Sequence, residues 1–215
     1  MIGRRHFLTA SGAALALPGA AFAEASPRLL LFGDSLTEGY GLPPDQNLTA
    51  QLQDYLDRHD VPARVINGGL SGDTSYGGRV RIRWSLLRHS PDAVVVEIGG
   101  NDMMLGWQAQ AAEENLDVIL GYAAANDRPV LLVGVHPRTG SEEWRRSWTD
   151  LWPRLAQRHK TLLLADLYAP LEAQPEDVQP DLLLADKLHP SAQGVTLMVS
   201  ALGPKVQELL GKSKE

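Results

Sequence analysis

From Arg28 onward, short apolar runs alternate with longer segments in which apolar positions recur at helical spacing. The runs Leu29–Phe32, Ala63–Ile66, Ala93–Ile98, Val130–Val135 and Thr161–Ala165 read as five strands. Helical patterns lie between them near Leu48–His59, Tyr76–Arg88, Gln108–Ala125 and Glu142–His159, and a last one spans Ser191–Leu210. Strand and helix in strict alternation imply an α/β protein with a parallel sheet covered on both faces, and right-handed crossovers make it a doubly wound sandwich. Proline marks the boundaries. Pro91-Asp92 and Arg128-Pro129 precede the third and fourth strands, where proline stops a helix, and Pro190 suits the start of the last helix.

The first 23 residues stand apart from this alternation. Arg4-Arg5-His6-Phe7-Leu8 leads into a run of small apolar residues and then Ala21-Phe22-Ala23, an A-x-A cleavage pattern, so residues 1–23 read as an export signal and residues 24–215 as the mature domain. The paired arginines resemble a twin-arginine signal, with a Sec-type signal as the alternative. The apolar run is too short for a stable membrane anchor, and Pro18 and Gly19 interrupt it. Exported, the protein is expected in the periplasm or outside the cell.

Charge narrows the partners. The net charge of −6 becomes −8 without Arg4 and Arg5, with 18 bases against 26 acids, which argues against nucleic acid or an anionic membrane, both of which need a basic face. Zero cysteines excludes disulfides, thiol catalysis and sulfur-bound zinc. No metal-ligand spacing stands out either, and the Walker pattern for a phosphate cradle is absent.

Four stretches carry candidate chemistry. Gly33-Asp34-Ser35 breaks the first strand at its carboxyl end, where open α/β sheets place their ligands. The tripeptide is also ordinary turn chemistry, and a serine hydroxyl there becomes a nucleophile only with a base, a partner to orient it and oxyanion donors. Asn67-Gly68-Gly69-Leu70-Ser71-Gly72-Asp73-Thr74 follows the second strand, so a Gly72 amide could donate to a developing charge, or Asp73 or Thr74 could cap the next helix. Gly99-Gly100-Asn101-Asp102 follows the third; the Asn101 amide suits an oxyanion hole or a helix cap, and Asp102 reads as structural. In Asp186-Lys187-Leu188-His189-Pro190 a carboxylate three residues before a histidine can hold the ring in the tautomer a general base needs. His59, His89, His136 and His159 lack that context and read as solvated.

Taken in order, Gly-Asp-Ser-Leu at 33–36, Gly72, Gly-Gly-Asn-Asp at 99–102 and Asp-x-x-His-Pro at 186–190 resemble the four blocks of the SGNH, or GDSL, hydrolase family, most closely its periplasmic arylesterase, thioesterase and lysophospholipase branch. The likeness spans nearly the whole mature chain. It implies a flavodoxin-like three-layer αβα sandwich, Ser35 as nucleophile, His189 as base and Asp186 as its partner. An oxyanion hole of the Ser35 N–H, the Gly72 N–H and the Asn101 side chain is implied as well, with no cofactor and a small ester or thioester as substrate. After Asp102 the branch commonly continues with glycine and a Leu-Arg-Gly run, where this chain has Met103-Met104-Leu105-Gly106-Trp107; a Pro-Asn-Tyr-Gly-like loop is replaced by His136-Pro137-Arg138-Thr139-Gly140. Both loops border the expected substrate groove. Met103, Met104, Leu105 and Trp107 suit either an apolar substrate pocket or helix packing. A carbohydrate deacetylase with the same site, and a non-catalytic flavodoxin-like binding protein, are the alternative readings.

Overall fold

The computed structural model describes residues 26–212, and the export signal expected at 1–23 lies outside them. Five strands form one sheet: β1 (Arg28–Gly33), β2 (Arg64–Gly69), β3 (Ala93–Glu97), β4 (Val130–Val133) and β5 (Leu162–Leu164). They connect through α1 (Ser35–Glu38), α2 (Leu48–Arg58), α3 (Ser75–His89), α4 (Gly100–Met104), α5 (Ala109–Ala123), α6 (Glu142–His159), α7 (Ala169–Glu172) and α8 (Ala192–Lys212). The spatial order is β2-β1-β3-β4-β5 with every pair parallel, the three-layer sandwich implied by the sequence.

Why the strands look continuously apolar is visible in their two faces. Leu29 and Leu31 of β1, with Ala93 and Val95 of β3, join the core under α2 and α8; Leu30 and Phe32, with Val94 and Val96, join the core under α3, α5 and α6. Successive side chains point to opposite faces, and both faces are covered. The caps follow local chemistry. Asn47 accepts from the Ala50 N–H at the start of α2, Thr74 from Gly77 at α3, and Ser141 from Trp144 at α6. Of the two caps considered for α3, Thr74 is the one used.

The helix after β1 covers one face and the helix after β2 covers the other, so the chain parts on either side of β1. The crevice thereby opened lies at the carboxyl ends of β1 and β3, from which the loops bearing Ser35 and Asn101 emerge.

Candidate active site

Ser35 is the first residue of α1, held there by a turn that only its neighbours permit. Asp34 caps α1 by accepting from the Leu36 N–H at 3.2 Å. A β-carbon at Gly33 would collide with the Thr37 hydroxyl and the Glu97 carbonyl, so close approach, rather than an unusual dihedral, requires glycine there. From Ser35 a line of polar atoms runs outward. Its Oγ lies 2.9 Å from His189 Nε2, and His189 Nδ1 lies 2.7 Å from Asp186 Oδ2. The other Asp186 oxygen accepts from the Leu188 and His189 N–H groups at 2.9 and 3.0 Å. These bonds to the ionised form, the His189 contact first, hold the Asp186 carboxyl down at about 2, so it is an anion at any ordinary pH.

The loop bearing His189 is braced from several sides. The Leu184 N–H donates to the His189 carbonyl at 2.8 Å, Tyr168 donates its hydroxyl to the Leu188 carbonyl at 2.8 Å, and the Tyr40 ring lies 4.5 Å from the imidazole, centroid to centroid. Burial pushes the Tyr168 hydroxyl well above its ordinary value, so it stays a donor.

Asn101 joins the second and third stretches to the first. Its Nδ2 donates to the Asp73 carbonyl at 2.8 Å and to Asp34 Oδ2 at 3.2 Å. Gly72, next to Asp73, has a φ of 79° with open space around it and is not part of the cavity lining. Its loop is tied to α1, because Glu38 accepts from both the Ser71 N–H and the Ser71 hydroxyl. Asp102 has the structural place expected of it: fully buried, it accepts from the Ser75 N–H at 2.8 Å and the Ser75 hydroxyl at 2.5 Å, which pins the start of α3.

Behind the site lie groups that sequence reasoning passed over. Arg81, on α3, donates to Asp73 Oδ2 at 2.6 Å, to the Gly68 carbonyl at 2.8 Å and to the Gly33 carbonyl at 2.6 Å, while its guanidinium stacks 3.9 Å from the Phe32 ring centre. One side chain thereby ties the ends of β1 and β2 to the loop carrying Gly72. Burial pushes the Asp34 carboxyl up to about 6, partly offset by the Leu36 N–H. Burial and then the neighbouring Asp34 push Glu97 well above the usual carboxylate range; Thr37 donates its hydroxyl to Glu97 at 2.8 Å. No local pattern marked Arg81 or Glu97: Gly33 and Thr37 are remote in sequence, and Asp73, eight residues before Arg81, lies in the loop ahead of the helix.

A cavity of about 350 Å³ opens beside Ser35 and His189. Met103, Met104, Val135, Trp144, Leu171 and Leu183 make its apolar side, and Arg138 and Glu172 stand at its polar end as an ion pair. The 136–140 loop borders it through His136, Pro137, Arg138 and Thr139. The Met-Trp cluster is divided. Met103 and Met104 line the cavity, whereas Leu105 is an exposed helix end and Trp107 accepts at its carbonyl from the Trp144 and Trp148 indoles at 3.0 and 3.3 Å, so neither is a lining residue. Two histidines read as solvated are not. His136 lies in the cavity wall 3.5 Å from Asp166, and His159 is packed against Asp117 at 2.9 Å; tertiary contacts outside their own segments cover both.

A hydroxyl, an imidazole and a carboxylate in hydrogen-bonded series, with amide donors beside them at the open edge of a parallel sheet, define a serine hydrolase. Residues 31–197 match the GDSL-like lipase/acylhydrolase family, and the chain belongs to it, as an SGNH-type enzyme acting on ester bonds. It is 30% identical over 189 residues to thioesterase 1/protease 1/lysophospholipase L1 of Escherichia coli K12, which covers 87% of each chain. It is 29% identical over 174 residues to an arylesterase of Vibrio mimicus, covering 80% of this chain and 84% of that one. The crystal structure of AlinE4, an SGNH-hydrolase family esterase, is 36% identical with a TM-score of 0.70, over 85% of this chain and 96% of the other.

Proposed function

We propose that Ser35 is the nucleophile, His189 the general base and Asp186 the group that orients and stabilises the imidazolium. One observation carries the reading: the unbroken line Asp186 Oδ2, His189, Ser35 Oγ, with contacts of 2.7 and 2.9 Å. His189 Nε2 takes the hydroxyl proton as Ser35 Oγ attacks the carbonyl carbon of an ester or thioester. The tetrahedral oxyanion is held by the Ser35 N–H, the Gly72 N–H and Asn101 Nδ2, whose longer contact, at 3.2 Å to Asp34, is the one a substrate oxygen would replace. Collapse expels the alcohol or thiol, which takes the proton back from His189. Water, deprotonated by His189, then attacks the acyl carbon, and the acid leaves as Ser35 Oγ takes that proton from His189.

The apolar wall supports an acyl or aryl group as the part of the substrate that enters, rather than an acetylated sugar. A fluorophosphonate probe is expected to label Ser35, as read by peptide mass spectrometry, and Ser35→Ala to abolish labelling; an unlabelled protein would favour a binding role. Along a series of p-nitrophenyl esters and matching thioesters, turnover is expected to rise beyond acetate. Fastest turnover on acetate with none on longer chains would favour a deacetylase.

We further propose export by way of residues 1–23. Every described strand and helix begins at Arg28 or after it, so cleavage after Ala23 leaves all of them in the mature chain. Amino-terminal sequencing of exported protein is expected to start at Glu24, and replacing Arg4 and Arg5 by lysine to block a twin-arginine route but spare a Sec route.

A further inference from the structure

The helix α3 carries four arginines and no carboxylate, in a protein whose net charge is −6. Its inner face, Ser75, Gly78, Ile82 and Ser85, is buried. On the outer face Tyr76, Val80, Trp84 and Leu87 stand in one stripe with exposures of 62%, 68%, 57% and 79%. At 100° per residue these four fall within one quadrant of the helix, with Arg79 and Arg83 on one flank and Arg88 on the other. Arg88 lies 4.9 Å over the Trp84 ring and Arg83 5.5 Å over Tyr122 of α5. Among the described residues no carboxylate pairs with Arg79, Arg83 or Arg88, while nearby acids are engaged elsewhere: Asp92 with Arg28, Asp73 with Arg81, and Glu113 and Asp117 with Arg154 and Arg158.

We propose that this ridge docks the protein reversibly on an anionic lipid surface. The chemistry matches a helix lying in the headgroup layer, with aromatic and aliphatic side chains inserted at the boundary and guanidinium groups on lipid phosphates. Tyr76 lies in the first turn of α3, just after the loop that carries Gly72, so the ridge starts beside that loop and follows the outer face of the helix. The competing occupant is a second copy of this chain. A two-fold contact of ridge on ridge would set the three arginines of one copy against the same three of the other, with no acid from α3 between them. A negative total argued against an anionic surface as partner, but a total does not report a local cluster such as Arg79, Arg83 and Arg88 flanking one exposed apolar stripe. Docking here is independent of the reading of Ser35.

The test uses the full chain and the chain from Glu24, which retains every described strand and helix and both described cores and removes any membrane affinity of residues 1–23. Both are sedimented with phosphatidylcholine vesicles with and without phosphatidylglycerol. Binding of the Glu24 form only to the anionic vesicles, reversed by high salt, is expected. The triple variant R79Q/R83Q/R88Q should lower the partition coefficient on the order of a hundredfold, from three arginines near an anionic surface. Trp84→Ser should lower it as well. Both variants should hydrolyse a soluble p-nitrophenyl ester at the parent rate. Equal binding to neutral and anionic vesicles, unaltered binding by the variants, or no binding overturns the proposal. So does a dimer in sedimentation equilibrium that Trp84→Ser dissociates, which would assign the ridge to a second copy.

Discussion

Replacing Arg81 by methionine tests whether the site is held from behind as its geometry requires. Methionine keeps the aliphatic volume and removes three donors that reach Asp73, Gly68 and Gly33 at 2.6 to 2.8 Å. The Asp73 side chain is 7% exposed and that of Arg81 19%, so the carboxylate loses its partner in a place water reaches poorly. Breaking a buried pair on one side costs about 3–5 kcal/mol, and the lower end applies because the guanidinium is partly solvated. Loss of the stacking on Phe32 adds roughly 0.5 kcal/mol. Urea unfolding should therefore show about 3 kcal/mol less stability, a loss most domains with about 5–15 kcal/mol survive. The double variant R81M/D73N should recover at least about 1 kcal/mol of it, since no charge is then stranded. With the ends of β1 and β2 and the Gly72 loop released, kcat for a p-nitrophenyl ester should fall about tenfold or more with KM changing less, the pattern of lost transition-state alignment. A stability loss under about 1 kcal/mol together with normal kcat would refute the reasoning.

Asp186→Asn should lower kcat by roughly 10²- to 10⁴-fold with the fold intact, as steady-state kinetics and circular dichroism would show, because an amide cannot hold the imidazole in the required tautomer. Asp34 sets a pH dependence: burial raises its folded carboxyl from 3.8 to about 6, so the folded state favours the protonated form. Stability from this group is full below pH 4 and lost as pH rises through 6, a change of about 3 kcal/mol that urea titrations at pH 4 and 7 should show and Asp34→Asn should reduce. Asp186, held down at about 2, acts with the opposite sign, its contribution present above 3.8 and lost as pH falls toward 2. Gly99→Ala should destabilise the protein by about 1–3 kcal/mol in thermal unfolding, because φ is 130° there and a β-carbon would sit 3.1 Å from the Trp152 ring.

The strands, the long helices and their order were legible along the chain because each depends on a periodicity that neighbouring residues carry themselves. So was the bond between Asp186 and His189, which are three residues apart on one turn of loop. The position of His189 opposite Ser35 is of another kind. The two lie 154 residues apart, and their 2.9 Å contact exists only because the loop before α8 returns to the carboxyl end of β1, an inner strand between β2 and β3. The resemblance to a family could say that they meet; nothing in either segment alone could. The division of the Met-Trp cluster had the same origin: Met103 and Trp107 are four residues apart, yet the tryptophans of α6 claim the Trp107 carbonyl while Met103 faces the cavity. Arg81 and the basic ridge went unread because a charge total has no direction, and a side chain in a helical pattern does not reveal what the opposite strand ends present to it. Local order is encoded by short-range sterics and alternation, and these the sequence determined by itself. Which distant groups share a surface or a crevice was decided only when the sheet closed its register and brought their backbones together.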